Sequence, residues 1–86
     1  MDEGGSMKDL LKRISVDPDV CFGKPCISGS RIWVFMLLDI LADGMTADEI
    51  IEDYPQLQPD DIRAAIAYGA EASREILVDL PQKAIV

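Results

Sequence analysis

Histidine is absent from this chain of 86 residues, and that absence alone removes much of enzyme chemistry. No serine, cysteine or lysine has an imidazole to activate it as a nucleophile. Cysteine is scarce as well: Cys21 and Cys26, five apart, are the only two. A structural zinc site takes four Cys or His ligands, so neither a metal nor any other cofactor is expected within one chain. A cytosolic disulfide is disfavoured on redox grounds, and two buried thiols in a turn are expected instead. Long apolar runs are missing too. The longest, Ile32 to Leu38, falls far short of the roughly 20 residues needed to cross a bilayer. Residues 1–13 show no apolar stretch followed by a small-residue cleavage site, so no signal peptide is read there. These absences point to a cytoplasmic protein without catalytic or metal chemistry.

Positive charge is the other shortage. Eight Lys and Arg face sixteen Asp and Glu, a formal net charge of −8. From Met1 to Trp33, Lys8, Lys12, Arg13, Lys24 and Arg31 balance the acids. From Val34 onward only Arg63, Arg74 and Lys83 oppose them, so the whole surplus lies in the second half. Nucleic-acid binding draws on counterion release around Lys and Arg, which the second half is poorly equipped to supply. An acidic surface suits a basic protein partner better. Composition by itself favours the plainer reading, a solvated acidic face that keeps the protein in solution.

What is present is a globular composition, 49% hydrophobic, with apolar positions interleaved with charge. One domain is the most this length allows. A chain of this size buries only about 60–65% of its unfolded surface, and a homodimer would bury more. Residues 1–12 read as a tail or short helix, with Ser6 a candidate cap for Met7 to Arg13. Residues 13–80 read as the folded domain and 81–86 as a tail. Arg13 to Asp17 alternates polar and apolar residues, the period of a short strand, and Asp17-Pro18-Asp19 signals a turn. Phe22 to Ile32 reads as a compact loop, extended at Cys26–Ser28. Val34, Leu37, Leu38 and Leu41 then share one helix face, giving a helix over about Trp33 to Asp43 with Gly44 as its C-terminal stop. Thr46 and Glu49 fit a capping box that opens a short helix, which Pro55 ends. Pro59-Asp60-Asp61 opens a long helix, Gln58 being a fair cap, and Pro81 closes it. Gly69, inside that helix, marks either a close helix crossing or an ordinary surface glycine.

Several patterns that imitate chemistry fail on detail. Gly23-Lys24-Pro25 lacks both the upstream glycine and the following Ser or Thr of a phosphate-binding loop. The carboxylate pairs Asp48/Glu49, Glu52/Asp53 and Asp60/Asp61 are chain neighbours near helix ends, suited to capping and the helix dipole. They do not converge from separate elements as acid–base catalysis requires. Lys8, Lys12, Arg13, Lys24 and Arg31 would hold phosphate oxygens if the strand and loop gather them, Arg31 foremost; alternatively Arg31 pairs with Asp17 or Asp19. The element order is that of a mainly α, tri-helical helix-turn-helix domain with a short N-terminal β/loop segment. Its recognition helix would offer Gln58 and Arg63 to the major groove, beside the unfavourable Asp60 and Asp61.

The series Arg13-Ile14-Ser15 to Asp19, Gly23-Lys24-Pro25-Cys26-Ile27, Gly29-Ser30-Arg31-Ile32, Val34, Gly44-Met45-Thr46, Glu49-Ile50, Asp53-Tyr54-Pro55, Leu57, Asp61 to Ala65 and Ala67-Tyr68 resembles domain-of-unknown-function family 433. The resemblance spans about residues 13–72. It implies a homeodomain-like fold, frequent homodimers and, for many members, a VapB-type antitoxin role beside a PIN-like toxin. Four positions depart from it. Ser28 stands where a basic residue is common, Ser30 where threonine is usual, Trp33 where proline is usual and Phe22 where glycine is common. Trp33 is expected in the core or at a dimer contact. The functional expectation is an antitoxin-like regulator that engages a toxin through Arg74, Glu75, Leu77, Leu80 and Ile85. Operator DNA would be contacted by Lys24, Arg31, Gln58 and Arg63. The alternatives are an autonomous DNA-binding repressor and a dimeric scaffold with neither role.

Overall fold

The computed structural model describes residues 7–75. Helix α1 (Met7–Leu11) leads into strand β1 (Ile14–Ser15), a single 3-10 turn (Cys21–Gly23), and strands β2 (Cys26–Ile27) and β3 (Ile32–Trp33). Helices α2 (Val34–Ala42), α3 (Ala47–Asp53) and α4 (Pro59–Glu75) complete the described chain. The strands form an antiparallel sheet in the order β1-β2-β3, with Ile14 opposite Ile27, Cys26 opposite Trp33 and Ile27 opposite Ile32.

This architecture corrects the expected mainly α, tri-helical helix-turn-helix with a β/loop segment: there are four described helices, and a three-stranded sheet is built into the fold. The stretch read as a loop is the β2–β3 hairpin. β1 falls within Arg13–Asp17, where alternation predicts a strand, and β2 within the segment expected to be extended; their pairing with β3 into one sheet is what no local pattern displays. Turn chemistry holds the hairpin. The Ser30 hydroxyl donates to the Ile27 carbonyl at 2.8 Å and accepts from the Ile32 N–H at 3.0 Å. Gly29 takes a positive φ of 81° at the tip.

Ile27 and Ile32 place the sheet in the main core with Val34, Leu37, Ile50, Leu57, Ile62 and Ala65. A second, smaller cluster joins Leu10 of α1 to Ala64 and Ala67 of α4, so α1 packs against the long helix. The helix signals act as their chemistry requires. Thr46 Oγ1 accepts from the Glu49 N–H at 3.1 Å, and Glu49 Oε1 accepts from the Thr46 N–H at 2.8 Å, a complete capping box. At the start of α4, Asp61 Oδ2 accepts from the Gln58 N–H at 2.8 Å, and its Oδ1 accepts from Arg13 Nη1 at 2.9 Å. Asp61 is 7% exposed, a buried carboxylate that caps the start of α4 with one oxygen and ties it to the chain just before β1 with the other. Gly69 proves to be a crossing point: a Cβ there would come within 3.0 Å of Leu38 Cδ1 on α2. Among the described residues, no helix is long and apolar enough to cross a membrane.

Candidate functional site

The least expected feature lies between β1 and β2. Asp17 Oδ1 accepts from the Asp19 N–H at 2.9 Å, and the Asp17 carbonyl accepts from the Val20 N–H, closing a turn around Pro18. The chain then passes through three consecutive positive φ values: Cys21 at 54°, Phe22 at 58° and Gly23 at 79°. Glycine is at ease in that region, whereas each L side chain forced into it costs on the order of 1 kcal/mol or more. The turn is held by Gly23 N–H to the Val20 carbonyl and Lys24 N–H to the Cys21 carbonyl, both at 3.0 Å. The Trp33 indole N–H adds a third tie, donating to the Cys21 carbonyl at 3.2 Å.

The result is that Phe22 is thrown outward and is 87% exposed. Its ring centroid lies 6.4 Å from that of Trp33, which stacks in turn on Phe35 at 4.9 Å. Three of the chain's five aromatic residues thus form one surface row, with Phe35 also exposed. Trp33 is half-buried in that row and is not part of the core cluster. Beside the row is a cavity of about 340 Å³ walled by Pro18, Asp19, Cys21, Phe22, Arg31 and Trp33. Arg31 is also strained, at φ 63°, and its guanidinium makes no hydrogen bond or ion pair among the described residues. The alternative raised for Arg31, a pairing with Asp17 or Asp19, does not form. Strained residues cluster where the surrounding structure holds them for a purpose, and here three of them line one cavity.

Cys21 and Cys26 differ in setting. Cys26 is 1% exposed, its Sγ 3.6 Å from Ser15 Oγ. Cys21 is half-buried at the cavity wall, so only one of the two thiols expected to be buried is so. Desolvation raises the Cys21 thiol above its ordinary range, and the neighbouring Cys26 thiol raises it further; Arg31 and Trp33 pull the other way.

The residues expected to contact DNA occupy separate walls. Arg31 lines the aromatic cavity, and Lys24 lines a groove with Phe35, Leu38 and Tyr68. Arg63 borders an apolar depression with Met7, Leu10 and Ile66, and its guanidinium is held by Asp60 at 3.2 Å. Gln58 caps α4 through its backbone. The basic set of the first half is dispersed as well, since Arg13 turns to Asp60 and Asp61 while Lys12 lies 3.8 Å from Asp9. Of the expected partner contacts, Arg74 is exposed and pairs with Glu71 at 2.7 Å, and Glu75 is the last residue of α4. Leu77, Leu80 and Ile85 lie outside the described residues. Sequence reasoning passed over Phe22 and Phe35 as site residues. Two signals pointed to them: Phe22 fills a position where a glycine is common, and Phe35 falls off the Val34–Leu37–Leu38–Leu41 stripe of α2.

Fold and site together define a small helical domain with an inserted antiparallel hairpin and an exposed aromatic row. The chain belongs to the family described as "Protein of unknown function (DUF433)", whose model matches residues 14–69. It is 30% identical over 78 residues to "Uncharacterized protein y4eO" of Sinorhizobium fredii (strain NBRC 101917 / NGR234), a match covering 85% of this chain and 35% of that protein. The chain therefore spans about a third of the length of that relative. No solved structure matches it.

Proposed function

We propose that this chain is a non-catalytic, antitoxin-type regulatory module that binds a protein partner, a PIN-like nuclease toxin, and that the aromatic row is its anchor. The observation that carries this reading is the exposure of Phe22, stacked toward Trp33 and Phe35 on a turn that accepts strain to hold it there. Protein interfaces concentrate their binding energy in a few aromatic and arginine side chains, and Arg31 stands beside this row with no hydrogen bond or ion pair among the described residues. The acidic second half supplies long-range attraction to a basic toxin. Arg74, Glu75 and the residues beyond them extend the contact. Titration calorimetry of the full chain against a PIN-like nuclease from the same genome tests the reading. Binding that weakens at least tenfold in Phe22→Ser supports it; binding unaffected by Phe22→Ser and Trp33→Ser removes the aromatic anchor.

Operator binding is a second reading, favoured by Arg31 at the hairpin, whose guanidinium is engaged in no ion pair among the described residues. The engagement of Arg63 by Asp60 and the acids in the first turn of α4 weigh against it. It requires DNA affinity that falls steeply as salt is raised.

A further inference from the structure

The cavity beside the aromatic row holds two charges that the fold does not use. Asp19 and Arg31 both line it, and neither side chain makes a hydrogen bond or ion pair among the described residues. They border one space with opposite signs and still do not pair with each other. Each sits on fixed backbone. The Asp19 N–H donates to Asp17 Oδ1 within the turn around Pro18. Arg31 lies between Ser30, whose hydroxyl closes the hairpin, and Ile32, which is buried in the main core. Its φ of 63° is therefore held against strain.

The remaining walls include two rings. Trp33 is fixed by its indole N–H to the Cys21 carbonyl, and the Phe22 ring is tilted 53° to it with centroids 6.4 Å apart. Rings at that angle form a wedge and not a flush stack, and a third ring can meet them edge to face. At about 340 Å³ the cavity stands at the small end of ligand pockets, which run from roughly 300 to 1,000 Å³. That space suits one molecule the size of an amino acid.

Charge decides the class of occupant. A simple anion is drawn to Arg31 and repelled by Asp19; a simple cation meets the reverse. A molecule carrying both signs satisfies both. We infer that this cavity binds a free aromatic α-amino acid as its zwitterion. Its carboxylate meets Arg31, its ammonium faces Asp19, and its ring packs against Phe22 and Trp33. A guanidinium takes a carboxylate through two parallel N–H donors, and the ring contact adds apolar burial. Both protein charges are exposed, so water screens them and the affinity is millimolar.

The test titrates the full chain with L-phenylalanine, following the emission of Trp33, the only tryptophan, and the backbone and indole N–H signals by NMR. Saturable shifts at Asp19, Cys21, Arg31 and the Trp33 indole are expected. Phenylpropionate, which lacks the ammonium, and phenethylamine, which lacks the carboxylate, should each bind roughly fivefold more weakly. Arg31→Gln should bind phenylalanine and phenethylamine alike, and Asp19→Asn should bind phenylalanine and phenylpropionate alike. Both positions are exposed, so the fold should survive, which unchanged far-ultraviolet dichroism checks. If either substitution weakens all three compounds equally, the residue is merely structural and the inference fails. N-acetylphenylalaninamide, a stand-in for a phenylalanine within a protein, should bind no better than the singly charged compounds. Should it match free phenylalanine, the cavity takes a protein side chain and the inference is overturned. Shifts confined to the groove of Leu38 and Tyr68, no saturable shift at all, or unchanged affinity in Phe22→Ser would overturn it equally. No toxin enters the assay, so its outcome is separate from that of the partner-binding reading.

Discussion

Phe22 and Asp61 show two opposite uses of a single residue. Phe22 carries backbone strain and buries almost nothing, so its presence weakens the fold. Replacing it with glycine should raise stability by about 1 kcal/mol, the strain that the left-handed region imposes on an L side chain. The same change removes the anchor ring and should cost the partner complex roughly 2 kcal/mol, in the range of an interface hot spot. Urea unfolding beside calorimetry checks both halves, and a Phe22→Gly chain less stable than wild type would refute the strain argument. Asp61 works for the fold. Its carboxylate accepts from the Gln58 N–H and from Arg13, and it is buried. Asp61→Ala should cost about 2 kcal/mol, the scale of charge-assisted hydrogen bonds lost with a buried partner left behind, reduced because Arg13 is partly solvated. Asp61→Asn should recover part of that, since an amide oxygen still accepts one bond. Neither role was fully legible in the sequence. Asp60 and Asp61 read as one dipole-favouring pair, and only the fold shows that one faces inward to Arg13 while the other also holds Arg63.

At the scale of elements, the helices were legible because their signals are local. The capping box at Thr46, the stop at Pro55 and the apolar face from Val34 to Leu41 all operate within a turn or two of chain, whereas the stop expected at Pro81 lies outside the described residues. Thr46→Ala removes one half of that box and should cost about 1 kcal/mol of stability, read as a lower urea midpoint at unchanged slope. Gly69 sets a subtler balance. An alanine there gains up to about 1 kcal/mol of helix propensity, and its Cβ would press on Leu38 Cδ1, the mobile end of a half-buried side chain that borders a groove. Gly69→Ala should therefore be neutral to mildly stabilising, whereas Gly69→Leu should separate α2 from α4 and destabilise clearly. Equal losses for both would mean that Leu38 has no room to yield. The sheet was legible only in part. The alternation of Arg13 to Asp17 marked β1 and the extended Cys26–Ser28 marked β2, but their pairing is set across the chain, Ile14 against Ile27, and by Ser30 bonding back to Ile27, which no local period records. The aromatic row depends on that pairing, so it was hidden along with it.

For the molecule as a whole, the uneven charge and the aromatic row divide the work of association. The residues up to Trp33 carry no net charge and present Phe22, Trp33 and Arg31; the residues after it carry the full surplus of −8. A basic partner would be drawn in by the acidic half from distances comparable to the Debye length, about 10 Å at 0.1 M salt. It would be retained by the apolar contact, which salt scarcely screens. Attraction of the first kind acts on the association rate, and packing of the second kind acts on the dissociation rate. Stopped-flow measurements with a PIN-like nuclease should therefore separate the two. Raising salt from about 0.05 to 0.5 M should lower the association rate roughly tenfold or more, as electrostatic steering is lost, with dissociation nearly constant. Phe22→Ser should leave association within about twofold and raise dissociation by roughly tenfold or more, as losing an anchor does. Removal of the chain after Glu71 takes away two acids and two bases, no net charge, and should leave the association rate within about twofold. If it speeds dissociation instead, the long helix and the residues beyond it form the anchor, and the aromatic row must serve another contact.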